Sequence, residues 1–292
     1  MKRILVPLTT PRARRGLIVG RDRLASAVAA ARASGPGPRL RPSFLIAGAQ
    51  KAGTTYLYQE LARHPQVRPA LTKEIHYFSD GYRRGGDWYS GFFPRVKAGA
   101  AGDAMVTGEA TPGYLFHPWF SERLARDLPD ARVIVLLRDP VRRAFSHYLH
   151  ERRLGYEPVD TFEAALDLED ERTEADHQRS FIDGAFVSSA LQHHSYRRRG
   201  QYLEQLQRLH EHVPPDRVLV LVSEEMYADP SSSYRTVCAF LGLREWMPPM
   251  FGANDMAASH LPIDRDCQHR LDEFFGPRKQ ELAAYLGRPL PW

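Results

Sequence analysis

Three short stretches of this sequence carry residue types at spacings suited to chemistry. The first is Gln50-Lys51-Ala52-Gly53-Thr54-Thr55, placed between the apolar run Phe44–Ala47 and a segment that sets Leu57, Tyr58, Leu61 and Ala62 on one helical face. A strand, a tight turn and a helix start are implied. A helix start leaves its first backbone N–H groups unpaired and carries partial positive charge, so it attracts an anion. Gly48 and Gly53 permit close backbone approach, Thr54 and Thr55 offer caps or hydroxyl hydrogen bonds, and Lys51 adds a mobile full charge. The order is not that of the nucleotide triphosphatase loop, where lysine follows the second glycine and a hydroxyl serves magnesium; here Lys51 precedes Gly53.

The second stretch is Arg138-Asp139-Pro140-Val141-Arg142-Arg143-Ala144-Phe145-Ser146. Arg138 follows the apolar run Arg132–Leu137 and so stands at the carboxyl end of a strand, where open α/β sheets bind ligands. Asp139 and Pro140 suit the N-cap and first position of a helix. Arg142 and Ser146 lie one turn apart on it. Arg138 and Ser146 can converge on one phosphate, the arginine through a charge-assisted fork; Arg143 reads as a solvated base. The third stretch, Lys73-Glu74-Ile75-His76-Tyr77-Phe78, reads as a strand over Glu74–Phe78 with Glu74 and His76 on one side and Ile75 and Tyr77 on the other. Glu74 has a plain alternative reading as a carboxylate paired with Lys73 or an arginine.

The elements that must position these residues alternate along the chain. Strands are predicted at Phe44–Ala47, Gln66–Arg68, Met105–Glu109, Arg132–Leu137 and Asp216–Val222. Helices are predicted at Thr54–Arg63, from Asp139 onward, over Ser233–Leu241 with Gly242 as C-cap, and over Arg265–Phe275 with Pro277–Leu286 continuing. The near-continuous apolar strands are those of a parallel sheet covered on both faces. A length of 292 residues, 43% hydrophobic and 26% charged, fits one large α/β domain. The net charge of +5 is uneven: residues 1–43 hold ten Lys and Arg against Asp22 alone, or +9, which leaves −4 for the rest. This basic extension, with a short helix expected near Leu24–Ala31, suits contact with an anionic surface. It lacks the interleaved aromatics of a nucleic-acid platform, so nucleic acid is not an expected partner. Two cysteines, Cys238 and Cys267, make no disulfide framework, and a cytoplasmic location is expected. His193-His194 and His210/His212 lack zinc spacing and read as solvated helix residues.

The loop Gln50–Thr55 resembles the Q-K-x-G-T-T loop of sulfotransferases that use 3′-phosphoadenosine 5′-phosphosulfate (PAPS), and Arg138–Ser146 is similar to that family's 3′-phosphate element. Lys73–Phe78, with Trp88-Tyr89-Ser90-Gly91-Phe92-Phe93-Pro94, resembles the heparan sulfate branch. The resemblance implies a P-loop-like central parallel sheet flanked by helices on both faces, with residues 1–43 as an extension and 44–292 as the sulfotransferase domain. It implies that Gln50, Lys51, Ala52, Gly53, Thr54 and Thr55 hold the 5′-phosphosulfate and that Arg138 and Ser146 hold the 3′-phosphate. Glu74 is then the general base, with His76 beside the acceptor and Lys51 stabilising the leaving phosphate. Tyr202 matches a helix whose tyrosine reaches the nucleotide, and Ala258 and Ser259 fall in a late loop that closes on the 3′-phosphate. That loop lacks the family's Lys-Gly-Arg, which weighs against a highly anionic acceptor.

The expected reaction is sulfuryl transfer to a hydroxyl or amine of a small-molecule or glycan acceptor, leaving adenosine 3′,5′-bisphosphate. In-line attack with charge spread over peripheral oxygens makes positioning and electrostatics dominant. A sulfuryl group carries one negative charge and calls for no metal. Two rivals stand: a small-molecule kinase of P-loop type, which would bind ATP with magnesium, and a non-catalytic nucleotide or glycan binder, which would be expected to lack Lys51 or Glu74.

Overall fold

Apolar runs separated by helical segments become neighbouring parallel strands in the computed structural model, which describes residues 10–96, 105–252 and 261–292. In chain order the elements that matter here are α1 (Pro11–Ala33), β1 (Phe44–Gly48), α2 (Thr54–Ala62), β2 (Val67–Pro69), α3 (Gly85–Ser90), β3 (Val106–Ala110), α4 (Phe120–Asp127), β4 (Arg132–Leu137), α5 (Pro140–Leu154) and β5 (Val218–Val222). The sheet order is β2-β3-β1-β4-β5, and every neighbouring pair is parallel. All of β1 and Val133–Leu137 of β4 are buried, as strands covered on both faces must be. After β1 the chain builds β2 and β3 on one side, and later β4 and β5 on the other. The carboxyl ends of β1 and β4 therefore flank the point where the winding reverses.

α5 begins where its sequence says it should: the Asp139 carboxylate accepts from the Val141 amide, Pro140 holds the first position, and Gly155 ends the helix in the left-handed region. Gly242 closes the helix Pro230–Leu241 in the same way. The C-terminal helix runs unbroken from Arg265 to Leu286 with Pro277 inside it. Cys238 and Cys267 are both buried and free.

Four sequence expectations need correction. The N-terminal helix is not a short piece near residues 24–31 but the 23-residue α1, capped by Thr10 and Pro11. It docks on α3, where Ser26 Oγ accepts from Arg84 (2.9 Å) and Trp88 Nε1 (3.2 Å). A side chain at Gly91 would collide with the Ala29 backbone, so the two segments touch main chain to main chain. Residues 74–78 form no strand. Glu74 and His76 take left-handed φ values of 60° and 59°, yet Ile75 and Tyr77 still point inward. The segment hangs on the end of β3 through the Glu74 amide, which donates to the Ala110 carbonyl, and through Tyr77, which stacks on Tyr89 at 4.2 Å. Arg143 is not solvated. It is fully buried and donates to the Tyr196 carbonyl, because α5 packs its 141, 144 and 148 side into a second core cluster with Phe162, Tyr196 and Phe275. His193 stacks on Tyr156 at 3.7 Å and lies 2.8 Å from a Glu151 carboxylate oxygen. Trp246 and Phe251 pack on the Tyr234 ring against the core.

Candidate active site

A cleft of about 320 Å³ opens above the carboxyl ends of β1 and β4. Its floor is the turn from β1 into α2. Lys51 has φ 72° and Gly53 φ 92°, so the chain doubles back sharply before the helix. The φ of 92° calls for glycine at position 53, and a Cβ there would also push aside the ends of the Tyr227 and Met226 side chains. No side chain caps α2 at Gly53, so its first-turn amides are left for a ligand or solvent. Gln50 Oε1 is buried and has no hydrogen-bond partner among the described residues. That orphaned acceptor and the uncapped amides fit a bound group that presents both donors and an anion.

Arg138, 5% exposed, reaches the floor from the end of β4 and donates to the Lys51 carbonyl at 2.9 Å, which ties the two phosphate-type motifs together. Burial lowers its pKa, an effect opposed first by Glu224. Ser146 lines the same wall from α5. Of the residues singled out from the sequence, Gln50, Lys51, Gly53, Thr54, Thr55, Glu74, Arg138 and Ser146 surround this one cleft. Ala52 is buried beneath it, its carbonyl accepting from the Ser223 hydroxyl.

Glu74 stands at the rim with 44% of its side chain exposed, and Lys73 pairs with it at 2.8 Å. Burial alone would raise its carboxyl, but the charge and hydrogen bond of Lys73, then the charge of His76, outweigh this and hold it below the usual carboxylate range. The pairing foreseen by the plain reading of Glu74 is therefore present, and it keeps the group ionised beside the cleft. Lys51, Glu74 and His76 are the described non-glycine residues with positive φ. Such strain gathers where surrounding structure fixes a functional geometry.

Two assignments fall elsewhere. His76 does not line this cleft; it opens with Glu74 onto an adjoining groove. Tyr202 lies behind Arg138, buried, and its hydroxyl donates to the Arg138 carbonyl at 2.9 Å, so it braces the arginine and faces a separate cavity. Ala258 and Ser259 lie outside the described residues.

Sequence reading missed His150, Arg153 and Tyr227, which also line the cleft. His150 is one turn beyond Ser146 and Arg153 nearly two, so the helical repeat that paired Arg142 with Ser146 would have reached them. Burial, then the charge of Lys51, pushes the His150 imidazole down to about 4. With Lys51, Arg138 and Arg153 facing Glu74 alone, the lining is cationic.

Comparison with known proteins identifies the family to which the chain belongs. A family model described as "Sulfotransferase domain" matches residues 41–248. Human heparan sulfate glucosamine 3-O-sulfotransferase 6 is 33% identical over 283 residues, covering 89% of this chain and 76% of that protein. The human 3B1 enzyme of the same name is 28% identical over 283 residues, covering 89% of this chain and 67% of that one. Among solved structures, a sulfotransferase from Alicyclobacillus acidocaldarius superposes with a TM-score of 0.67 at 30% identity, covering 86% of this chain and 97% of that one.

Proposed function

This chain belongs to the sulfotransferase domain family, and from that premise we propose that it transfers the sulfuryl group of PAPS to a hydroxyl of an acceptor. The observation that carries the reading is the meeting of Lys51, Arg138, Ser146 and Glu74 around one cationic cleft. PAPS supplies the sulfuryl group and a phosphate good enough to leave. The uncapped amides of α2, with the Thr54 and Thr55 hydroxyls, suit the 5′-phosphate; Arg138 and Ser146 suit the 3′-phosphate.

Glu74 takes the acceptor's hydroxyl proton as that oxygen bonds to sulfur. Lys51 neutralises the phosphate oxygen that keeps the electron pair of the broken S–O bond. Lys73 holds Glu74 ionised and ready, and the buried Arg138 keeps the Lys51 loop in register by gripping its carbonyl. His150, kept neutral beside Lys51, adds a hydrogen-bonding group and no further positive charge.

The test is nucleotide selectivity. Calorimetry should show adenosine 3′,5′-bisphosphate binding without metal and more tightly than ATP with magnesium, and radiolabelled sulfate should pass from PAPS to an acceptor. Preference for magnesium-ATP would favour a kinase. Tight bisphosphate binding with no transfer to any acceptor in a broad panel would favour a binder.

A further inference from the structure

Glu74 faces two spaces. Inward it lines the cationic cleft; outward it lines a groove of about 580 Å³ between α1 and the Glu74–Phe92 segment. This groove contains His76 and shares Glu74 with the cleft. One wall is α1, through Val19, Ala27 and Ala30; the other carries Ile75, Trp88 and Phe92. The charged residues around it are Asp22, Arg23, Glu74, Asp80 and Arg84, three carboxylates against two guanidiniums. Arg84 is already engaged, donating to Ser26 and lying 4.9 Å over the Trp88 ring. The cleft attracts anions, whereas the groove, taken by itself, offers them no net attraction.

We propose that this groove holds the acceptor and that α1 gives it its selectivity: it takes an uncharged, hydroxyl-bearing molecule with an apolar face, not a polyanionic glycan. The inference rests on Glu74 as the proton acceptor, because only then must the acceptor hydroxyl lie where cleft and groove meet. A sugar or alcohol joined to an apolar group lays that group along Ala27, Ala30 and Trp88 while its hydroxyl reaches Glu74. A polyanion in the same place gains no net attraction, because Asp22, Glu74 and Asp80 offset Arg23 and Arg84, and Arg84 is already held by Ser26 and Trp88. The wall is specific to the extension: α1 precedes the stretch matched by the family model, and its seat is fixed by the main-chain contact of Ala29 with Gly91.

The experiment uses the full chain, radiolabelled PAPS and two probes, n-octyl β-D-glucoside and an N-sulfated heparan oligosaccharide. Ala27→Trp fills the groove from an exposed position on α1. The expected result is transfer to the glucoside in preference to the oligosaccharide. Ala27→Trp should lower kcat/KM for the glucoside by about tenfold or more, the scale of one lost pocket contact, with adenosine 3′,5′-bisphosphate affinity and melting temperature unchanged. Preference for the oligosaccharide, no transfer to the glucoside by protein that binds the bisphosphate, or an unaltered kcat/KM in the variant would each overturn the proposal. Failure of the wild-type protein to bind the bisphosphate would instead strike the nucleotide assignment.

Discussion

The two sides of Glu74 are built in different ways. The side proposed to take the nucleotide is made of strand ends and helices: the turn from β1 into α2 brings Lys51, the end of β4 brings Arg138, and the body of α5 brings Ser146 and His150. Lys51 sits in the turn that joins β1 to α2, the other groups lie on or next to regular elements, and a backbone-directed hydrogen bond from Arg138 to Lys51 joins the two sets. On the other side, an irregular segment with two left-handed residues faces a helix that lies outside the family-matched stretch. Chemistry common to a family calls for the first kind of construction. Choice of acceptor can vary through the second without disturbing the first.

Substitutions can break or sharpen this division. Glu74→Gln, at the boundary, should cost about 10²–10⁴ in kcat, the range for a general base, while bisphosphate affinity changes little. Lys51→Ala should cost about 10²–10³ in kcat, as for loss of one donor to a developing negative charge. Single-turnover transfer from radiolabelled PAPS measures both, and a normal rate in either variant removes that residue from the chemistry. Arg138→Ala belongs wholly to the nucleotide side. It should weaken bisphosphate binding by about 10–100-fold, the scale of a hydrogen bond to a charged group, read by calorimetry on protein shown by its melting curve to be folded. If the acceptor KM rises and nucleotide affinity holds, the division is wrong.

The smallest expected effect is on protons. His150, at about 4 in the folded chain against an ordinary 6.5, binds fewer protons folded than unfolded between those values. Its contribution to stability is therefore complete above about 6.5 and declines as pH falls toward about 4. Bisphosphate binding should raise the His150 pKa, because nearby phosphate favours the imidazolium; NMR titration of the ring protons would show it. An unmoved pKa would place the phosphates away from α5.

The fold was largely legible because its signals are local. Val133–Leu137 reads as a buried strand, Asp139-Pro140 as a helix start, and Gly53 before two threonines as a turn into a helix. The gathering of Lys51, Arg138 and Ser146 around one cleft followed, since order along the chain places strand ends together. What escaped depended on packing. Nothing adjacent to Arg143 announces that Tyr196 and the second core cluster will bury it. The alternation of Ile75 and Tyr77 suggested a strand, but the pull of β3 on Glu74 and of Tyr89 on Tyr77 bends the segment while keeping its alternation. The full length of α1 was hidden by a Gly- and Arg-rich sequence whose docking shows only in three dimensions, in the Ser26 hydrogen bonds and the Ala29–Gly91 contact.

The central claim is that one cleft receives a nucleotide phosphorylated at both ends, with Lys51 and Glu74 on either side of the reacting centre. A crystal structure with adenosine 3′,5′-bisphosphate tests it most directly. The account predicts the 5′-phosphate on the first turn of α2 beside Lys51 and the 3′-phosphate between Arg138 and Ser146. A nucleotide bound in the cavity behind Tyr202, or reversed in the cleft so that its 3′-phosphate lies against Lys51, would contradict it.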